Sequence, residues 1–296
     1  MATEYLKDKH KLVGIRYMLL YIAGINVTIS FILHMVASFF DTFIPIYLQA
    51  LIVGVCAYII PIIIYARTNH ITAQSAADKY FLKGCRIYPL ILAAIMGCCF
   101  QFVVILIDLP VNMLTGGSSS YIPSTPAELI AAIFVIAVIP AIFEEFLFRG
   151  IVLGSMSEFN TKAAAIFSAV IFAVMHADMC GLVGYIIMGL ILVSIVRRTN
   201  SIYSAIVFHF ANNTTALILG YINDELIYMP VFTISLFAVG VIMFIASYML
   251  FASITKKPKE ICLMKTGGLL GQSFVNLPIV LCIAVIVFAE IMISLI

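Results

Sequence analysis

Three short stretches of this sequence combine residue types that can activate a water molecule and stabilise the charge its attack creates. The first is Ile142-Phe143-Glu144-Glu145-Phe146-Leu147-Phe148-Arg149-Gly150, two adjacent carboxylates and an arginine at the end of a long apolar run. The second is Phe172-Ala173-Val174-Met175-His176, and the third is His209-Phe210-Ala211-Asn212-Asn213. On a helix Glu145 and Arg149 are four apart and share a face, whereas Glu144 points about 100° away from Glu145. One carboxylate can therefore pair with the arginine while the other faces a cavity. A carboxylate in a poorly solvated site becomes a better general base. A neutral histidine can share the water or shuttle its proton. A second histidine and an asparagine amide, four apart on one helix face, can donate to the oxyanion formed when water attacks a carbonyl. Together these groups suffice for amide hydrolysis without a covalent intermediate.

Each stretch also has a plainer reading. Glu145 and Arg149 can be an ion pair that locks a helix, a Phe four residues before a His is ordinary packing, and His209 with Asn213 can be an interhelical hydrogen bond. The combination in this order and spacing favours chemistry. His34 lacks acidic neighbours and reads as a packing residue. Ser155, Ser157 and Ser168 have no context that would make a nucleophile.

The elements that must position these residues follow from composition. The chain has 296 residues, 64% of them hydrophobic and 10% charged, with a mean hydropathy of +1.18. A soluble domain of this length carries far more charge, so lipid solvates most of the chain. A spanning helix needs about 20 apolar residues. Nine runs meet or approach this, near 16–40, 43–65, 88–107, 128–153, 162–177, 182–196, 201–219, 229–253 and 274–296. Continuous apolar runs of this length are helices rather than alternating barrel strands. The expected fold is an all-α, polytopic integral membrane bundle of about eight or nine transmembrane helices, a single membrane domain over 1–296, with 274–296 as an extra C-terminal span. The loop at 109–127 separates the first three spans from the rest, and Gly181, Gly184 and Gly189 mark a sixth helix able to approach its neighbours closely.

All 16 Lys and Arg residues fall before the first run or at the turns after the second, fourth, sixth and eighth. The opposite turns hold Asp41, Asp108, Asp178, Asp224 and Glu225. The positive-inside rule then places the N-terminus in the cytoplasm. The first run is too long for a signal-peptide core and reads as a retained anchor. Seven cysteines, without a CxxC pair, read as buried small apolar residues rather than a disulfide or thiolate framework.

The pattern Glu144-Glu145-x-x-x-Arg149, Phe172-x-x-x-His176, His209-x-x-x-Asn213 resembles the CAAX protease and bacteriocin-processing (CPBP, or Abi) family, whose core here covers about 128–219. The Thr199-Asn200-Ser201-Ile202 turn looks similar too. The resemblance implies a multi-helix intramembrane peptidase of the glutamate type, like the type II CAAX prenyl endopeptidases. In that scheme Glu144 and His176 activate the water, His209 and Asn213 form the oxyanion hole, and Glu145, Arg149 and Phe172 support them. It implies no cofactor and no metal. The expected partners are the lipid bilayer and a peptide or lipidated protein substrate, with no nucleic acid, and the expected location is a multi-pass membrane setting, the cell membrane in a prokaryote.

Two other classes stay open on the sequence alone. Glu144, His176 and His209 could be the three protein ligands of a catalytic zinc, although no HExxH is present and Asn213 suits an oxyanion better. A non-catalytic membrane scaffold could bind a partner through the same cavity.

Overall fold

The structure, a computed structural model, describes residues 2–40, 46–72, 77, 79–115, 121–157, 160–176, 178, 180–226, 230–258, 260, 280–281 and 283–284. The ninth run, with Glu290 and Cys282, falls almost wholly outside these residues, as do Cys262, Lys265 and Asp41, and the His34 side chain is not described. The principal helices, numbered in chain order, are α1 (Ala2–Phe39), α2 (46–68), α3 (Ile87–Thr115), α4 (126–157), α5 (Thr161–Val174), α6 (Leu182–Thr199), α7 (Ile202–Leu226) and α8 (Pro230–Ile254). Seven of them contain a stretch long and apolar enough to cross a membrane, and α5 is a shorter apolar helix of 14 residues. The architecture is an all-α polytopic membrane bundle. Among the described residues no strand forms, and a single antiparallel bridge joins Leu82 to Ser201.

The bundle is apolar both inside and out, as lipid solvation requires. Ile91, Val239 and Ile245 are exposed on its surface, where acyl chains accept them as readily as a protein core would. Its interior is joined by aromatic contacts from several helices. Phe100 of α3 lies 5.6 Å from Phe208 of α7 and 5.2 Å from Phe244 of α8, ring centre to ring centre. Lipid also corrects the expectation for cysteine. None of the five described thiols is in a disulfide, but Cys98 is exposed and Cys56, Cys85, Cys99 and Cys180 are only half-buried. An apolar side chain in a membrane helix has no reason to turn inward.

Close helix approach depends on small residues. A Cβ on Gly97 of α3 would collide with the backbone carbonyl of Phe208 on α7. A Cβ on Gly189 of α6 would lie 2.8 Å from the Cα of Ala169 on α5. Of the three glycines singled out in the sixth run, Gly184 and Gly189 face α3 and α5, whereas Gly181 faces Asp178 and Tyr185 of its own turn and helix.

The fourth helix departs from a regular α-helix. It runs as Pro126–Ala132, a π-helical Ile133–Val138, an α-helical Ile139–Glu144, a π-helical Glu145–Leu153 and a final turn Gly154–Ser157. Pro140 explains the first widening. It has no N–H for the carbonyl four residues back, that of Ile136, and its ring crowds that carbonyl. The backbone responds with i→i+5 turns. The same device recurs in α2, where π-helical Val55–Ile59 precedes Pro61. At its start, α4 is capped by Thr125, whose side chain accepts from the Glu128 N–H, while the Glu128 carboxylate accepts from the Ser124 N–H at 2.9 Å. This reciprocal arrangement is a capping box shifted by one residue.

Gly97→Val is expected to lower the melting temperature of the detergent-solubilised protein by several degrees, since overpacking costs about 1–3 kcal/mol. Cys98→Val, at the exposed neighbouring position, should leave it unchanged. Differential scanning fluorimetry on both variants checks this.

Candidate active site

The two adjacent carboxylates sit at the junction between the α-helical and π-helical parts of α4. Glu144 is the last residue of one and Glu145 the first of the other. They divide as the spacing suggests. Arg149 donates from Nη1 to Glu145 Oε1 at 2.7 Å, with both side chains 0% exposed. His209 of α7, 1% exposed, donates from Nδ1 to the same oxygen at 2.9 Å. A second Arg149 nitrogen, Nη2, reaches the Gly189 carbonyl of α6 at 3.4 Å. One carboxylate oxygen therefore ties α4 to α7, and its arginine ties α4 to α6. Arg149 is sealed in the bundle rather than placed at a helix turn, which removes it from the set of orienting cations.

Phe172 fills the space beneath this cluster. The Arg149 guanidinium carbon lies 4.1 Å from its ring centre, a cation–π contact. Its ring is also edge-on to Phe148, His176 and His209, at 5.4, 4.5 and 5.8 Å. Ser168, one turn earlier on α5, donates to the Phe148 carbonyl at 2.9 Å, a structural bond in keeping with its lack of nucleophile context.

His176 is not on a helix, as its place in the fifth run had suggested. α5 ends at Val174, and His176 follows in the turn, its N–H donating to the Ala173 carbonyl at 3.2 Å. The shorter helix leaves the Phe172 carbonyl facing the imidazole, which donates to it from Nδ1 at 2.7 Å. A carbonyl only accepts, so this bond assigns the proton to Nδ1 and leaves Nε2 as the free nitrogen of the neutral ring. Nε2 faces Glu144 Oε2 at 3.7 Å, beyond direct hydrogen bonding. Glu144 is 9% and His176 20% exposed at the side chain. They form the open side of the site, while Glu145, Arg149 and His209 form its sealed side. Among the described protein atoms, Glu144 Oε2 has no hydrogen-bond partner.

Asn213 shares the His209 face of α7. Its Nδ2 donates to the Ile136 carbonyl at 3.3 Å, which is the carbonyl Pro140 cannot serve. Asn212 in turn donates to Asn213 Oδ1 at 3.3 Å. The α6–α7 turn sets the register of this face. Asn200 adopts the left-handed conformation at φ 54°, and the Thr199 hydroxyl hydrogen-bonds to the Ile195 carbonyl at 2.8 Å and to Ser204 at 2.7 Å.

Two tyrosines join the site without being legible as site residues. Tyr58, buried in the π-helical part of α2, interacts with the Glu144 carboxylate. Tyr185 of α6 stacks on His176 with ring centres 4.1 Å apart and planes 26° apart. Tyr58 had one sequence signal, the widened turn that Pro61 imposes three residues later. Tyr185 had only its place four residues after Gly181.

The donor set was also tested as a metal site. Among the described residues no three His, Cys, Asp or Glu side chains gather into a group that could hold an ion. Glu144 and His176 face each other across 3.7 Å, and His209 holds its Nδ1 on Glu145 with Nε2 left over, so the three side chains as placed do not close into one group.

An all-α membrane bundle with its polar residues gathered around a helix junction is the class this fold and site define. Comparison with known proteins narrows the class over the same segment. Residues 126–215 match the family model described as Rce1-like, the "Type II CAAX prenyl endopeptidase Rce1-like" family. The chain is also 35% identical over 88 residues to the Bacillus subtilis (strain 168) protein named "Putative membrane peptidase YdiL". That alignment covers 29% of this chain and 36% of the relative. No solved structure matches the chain significantly. The resemblance to the CAAX protease and bacteriocin-processing family is borne out over the segment that carries the motifs.

The sealed and open sides predict different mutational costs. Arg149→Ala leaves the Glu145 carboxylate buried without its cation, which costs about 3–5 kcal/mol. It should sharply reduce the folded protein recovered from membranes, whereas Glu144→Gln should leave recovery within about twofold of wild type. Quantitative immunoblotting and fluorescence-detected gel filtration read both, and equal recovery would contradict the pairing.

Proposed function

We propose that this chain is an intramembrane endopeptidase that hydrolyses a peptide bond of a membrane-associated or lipidated substrate, using water activated by Glu144 and His176. The observation that carries the reading is the 3.7 Å gap between Glu144 Oε2 and His176 Nε2 on the one open side of an otherwise sealed polar cluster. The family match over 126–215 and the name of the Bacillus relative support the same class.

In this mechanism a water between the two groups donates one hydrogen bond to Glu144 and the other to Nε2 of neutral His176. As the water oxygen bonds to the scissile carbonyl carbon, Glu144 takes its proton. The carbonyl oxygen becomes an oxyanion facing α7. There the second amide hydrogen of Asn213 Nδ2 donates to it, since the first is held by Ile136. His209 donates from Nε2. Because its Nδ1–H is already bound to Glu145, donation at Nε2 requires a ring protonated on both nitrogens. Collapse of the intermediate breaks the C–N bond, and the proton held by Glu144 passes to the leaving amine. The products are a carboxylic acid and an amine, which exchange a proton to become a carboxylate and an ammonium, so atoms and charge balance with one water consumed. No metal takes part.

A bilayer setting suits a lipophilic substrate, which can reach the site from the membrane. The pattern of the remaining cations supports a cytoplasmic N-terminus.

The experiment is cleavage of a quenched peptide library, including peptides with a lipidated C-terminal cysteine, by the full chain in detergent. Glu144→Gln should lower kcat/KM by at least about 10³-fold, within the range expected for a lost general base. Asn213→Ala should lower kcat by about 10²-fold, as for loss of one oxyanion donor. A chelator should leave the rate unchanged. Activity lost to the chelator and restored by zinc would overturn the metal-free mechanism, and cleavage by Glu144→Gln at the wild-type rate would overturn the assignment of the base.

A further inference from the structure

His176 carries half of the proposed chemistry, yet it lies beyond the end of α5 with no helical backbone to hold it. Its position rests on what surrounds it. Phe172 supplies a carbonyl for Nδ1 and an aromatic edge against one side of the ring. The other restraint is Tyr185, near the start of α6, whose ring lies nearly parallel to the imidazole at 4.1 Å.

Tyr185 is itself held. Its ring lies beside the Asp178 carboxylate, two residues after His176. Asp178 is fixed by the start of α6, with Oδ1 accepting from the Cys180 N–H at 3.0 Å and the Gly181 N–H at 3.2 Å. The two side chains meet over Gly181, where there is room for nothing else. A Cβ there would lie 2.7 Å from Asp178 Oδ2 and 2.7 Å from Tyr185 Cε2. Backbone, carboxylate and phenol thus form a closed brace whose free face is the ring laid against His176.

We infer that Tyr185, braced by Asp178 over Gly181, is a positioning residue that fixes the His176 ring so that Nε2 faces Glu144. Stacking suits this role. A flat aromatic face restricts the tilt of the imidazole, while the Nδ1 bond to Phe172 sets its rotation about the remaining axis. In this role Tyr185 acts on the reaction through the His176 ring. The predicted effect on catalysis rests on the hydrolytic reading above, but the predicted effect on His176 does not.

The test uses full-length protein in detergent with Tyr185→Leu, which removes the ring, Tyr185→Phe, which keeps the ring and removes the hydroxyl, and Gly181→Ala, which wedges the brace apart. Nitrogen-15 NMR of labelled histidine, with His176 assigned through His176→Gln, reads the tautomer directly. Wild type should show one state, protonated at Nδ1 and bare at Nε2. Tyr185→Leu and Gly181→Ala should show an averaged or mixed state, and Tyr185→Phe should stay close to wild type. On a cleaved peptide, Tyr185→Leu should lower kcat by about 10²-fold, the scale expected of a misplaced catalytic group, with KM within about twofold. Tyr185→Phe should recover kcat to within about threefold of wild type. A single unchanged His176 tautomer in Tyr185→Leu and Gly181→Ala would overturn the inference, as would equal losses in the Leu and Phe variants. Failure of every peptide to be cleaved would count against the peptidase while the NMR still decides the role of Tyr185.

Discussion

One carboxylate oxygen, Glu145 Oε1, is the point on which the interior of this bundle depends. It accepts from Arg149 and His209 at 2.7 and 2.9 Å, and all three side chains are cut off from solvent. An ionised side chain at the centre of a membrane helix costs about 2.5–3.5 kcal/mol on insertion scales, so neither charge is tolerable alone. Arg149 neutralises Glu145 within α4, the His209 bond to the same oxygen ties α7 to α4, and the Arg149 bond to the Gly189 carbonyl brings in α6. Small residues make that approach possible, Gly189 against Ala169 and Gly97 against Phe208. Buried ion pairs are seldom the most stabilising choice. Here the pair also defines which neighbouring groups remain free.

Those neighbours are the reactive ones. Because Glu145 absorbs the arginine and His209 Nδ1, Glu144 is left without a cation in direct contact and faces His176 on the open side. The helix irregularities have a local logic as well. Pro140 deprives the Ile136 carbonyl of its α-helical donor, and Asn213 supplies one from α7. The end of α5 at Val174 gives His176 the Phe172 carbonyl, which assigns its tautomer. In each case a polar backbone group released from a regular helix positions a polar side chain, as a medium without water requires.

The broad fold was legible because a bilayer leaves few options. Apolar runs long enough to span must be helices, and eight of the nine runs coincide with α1 to α8, while the ninth lies almost wholly outside the described residues. The Glu145–Arg149 pair was legible because i,i+4 spacing survives a widened turn. The division of the two carboxylates followed from their adjacency. What the sequence concealed depended on breaks in regular structure. Spacing assumes a continuous α-helix, so it put His176 within α5 and missed the π-helical turns around Glu144. Tyr58 and Tyr185 were hidden because an aromatic in an apolar run looks the same whether it faces lipid or a catalytic group. The cysteines were misjudged for a related reason, since hydropathy cannot tell the protein interior from the acyl chains.

The most direct measurement is a double-mutant cycle on the buried pair, Glu145→Gln and Arg149→Met alone and together, followed by thermal unfolding of the full chain in detergent. If the pair is the constraint described, the double variant loses less stability than the sum of the single variants, by about 2 kcal/mol or more, because removing both charges leaves none stranded. Losses that add to within about 0.5 kcal/mol would mean that the two residues act independently, and the separation into a sealed supporting side and an open reacting side would lose its physical basis.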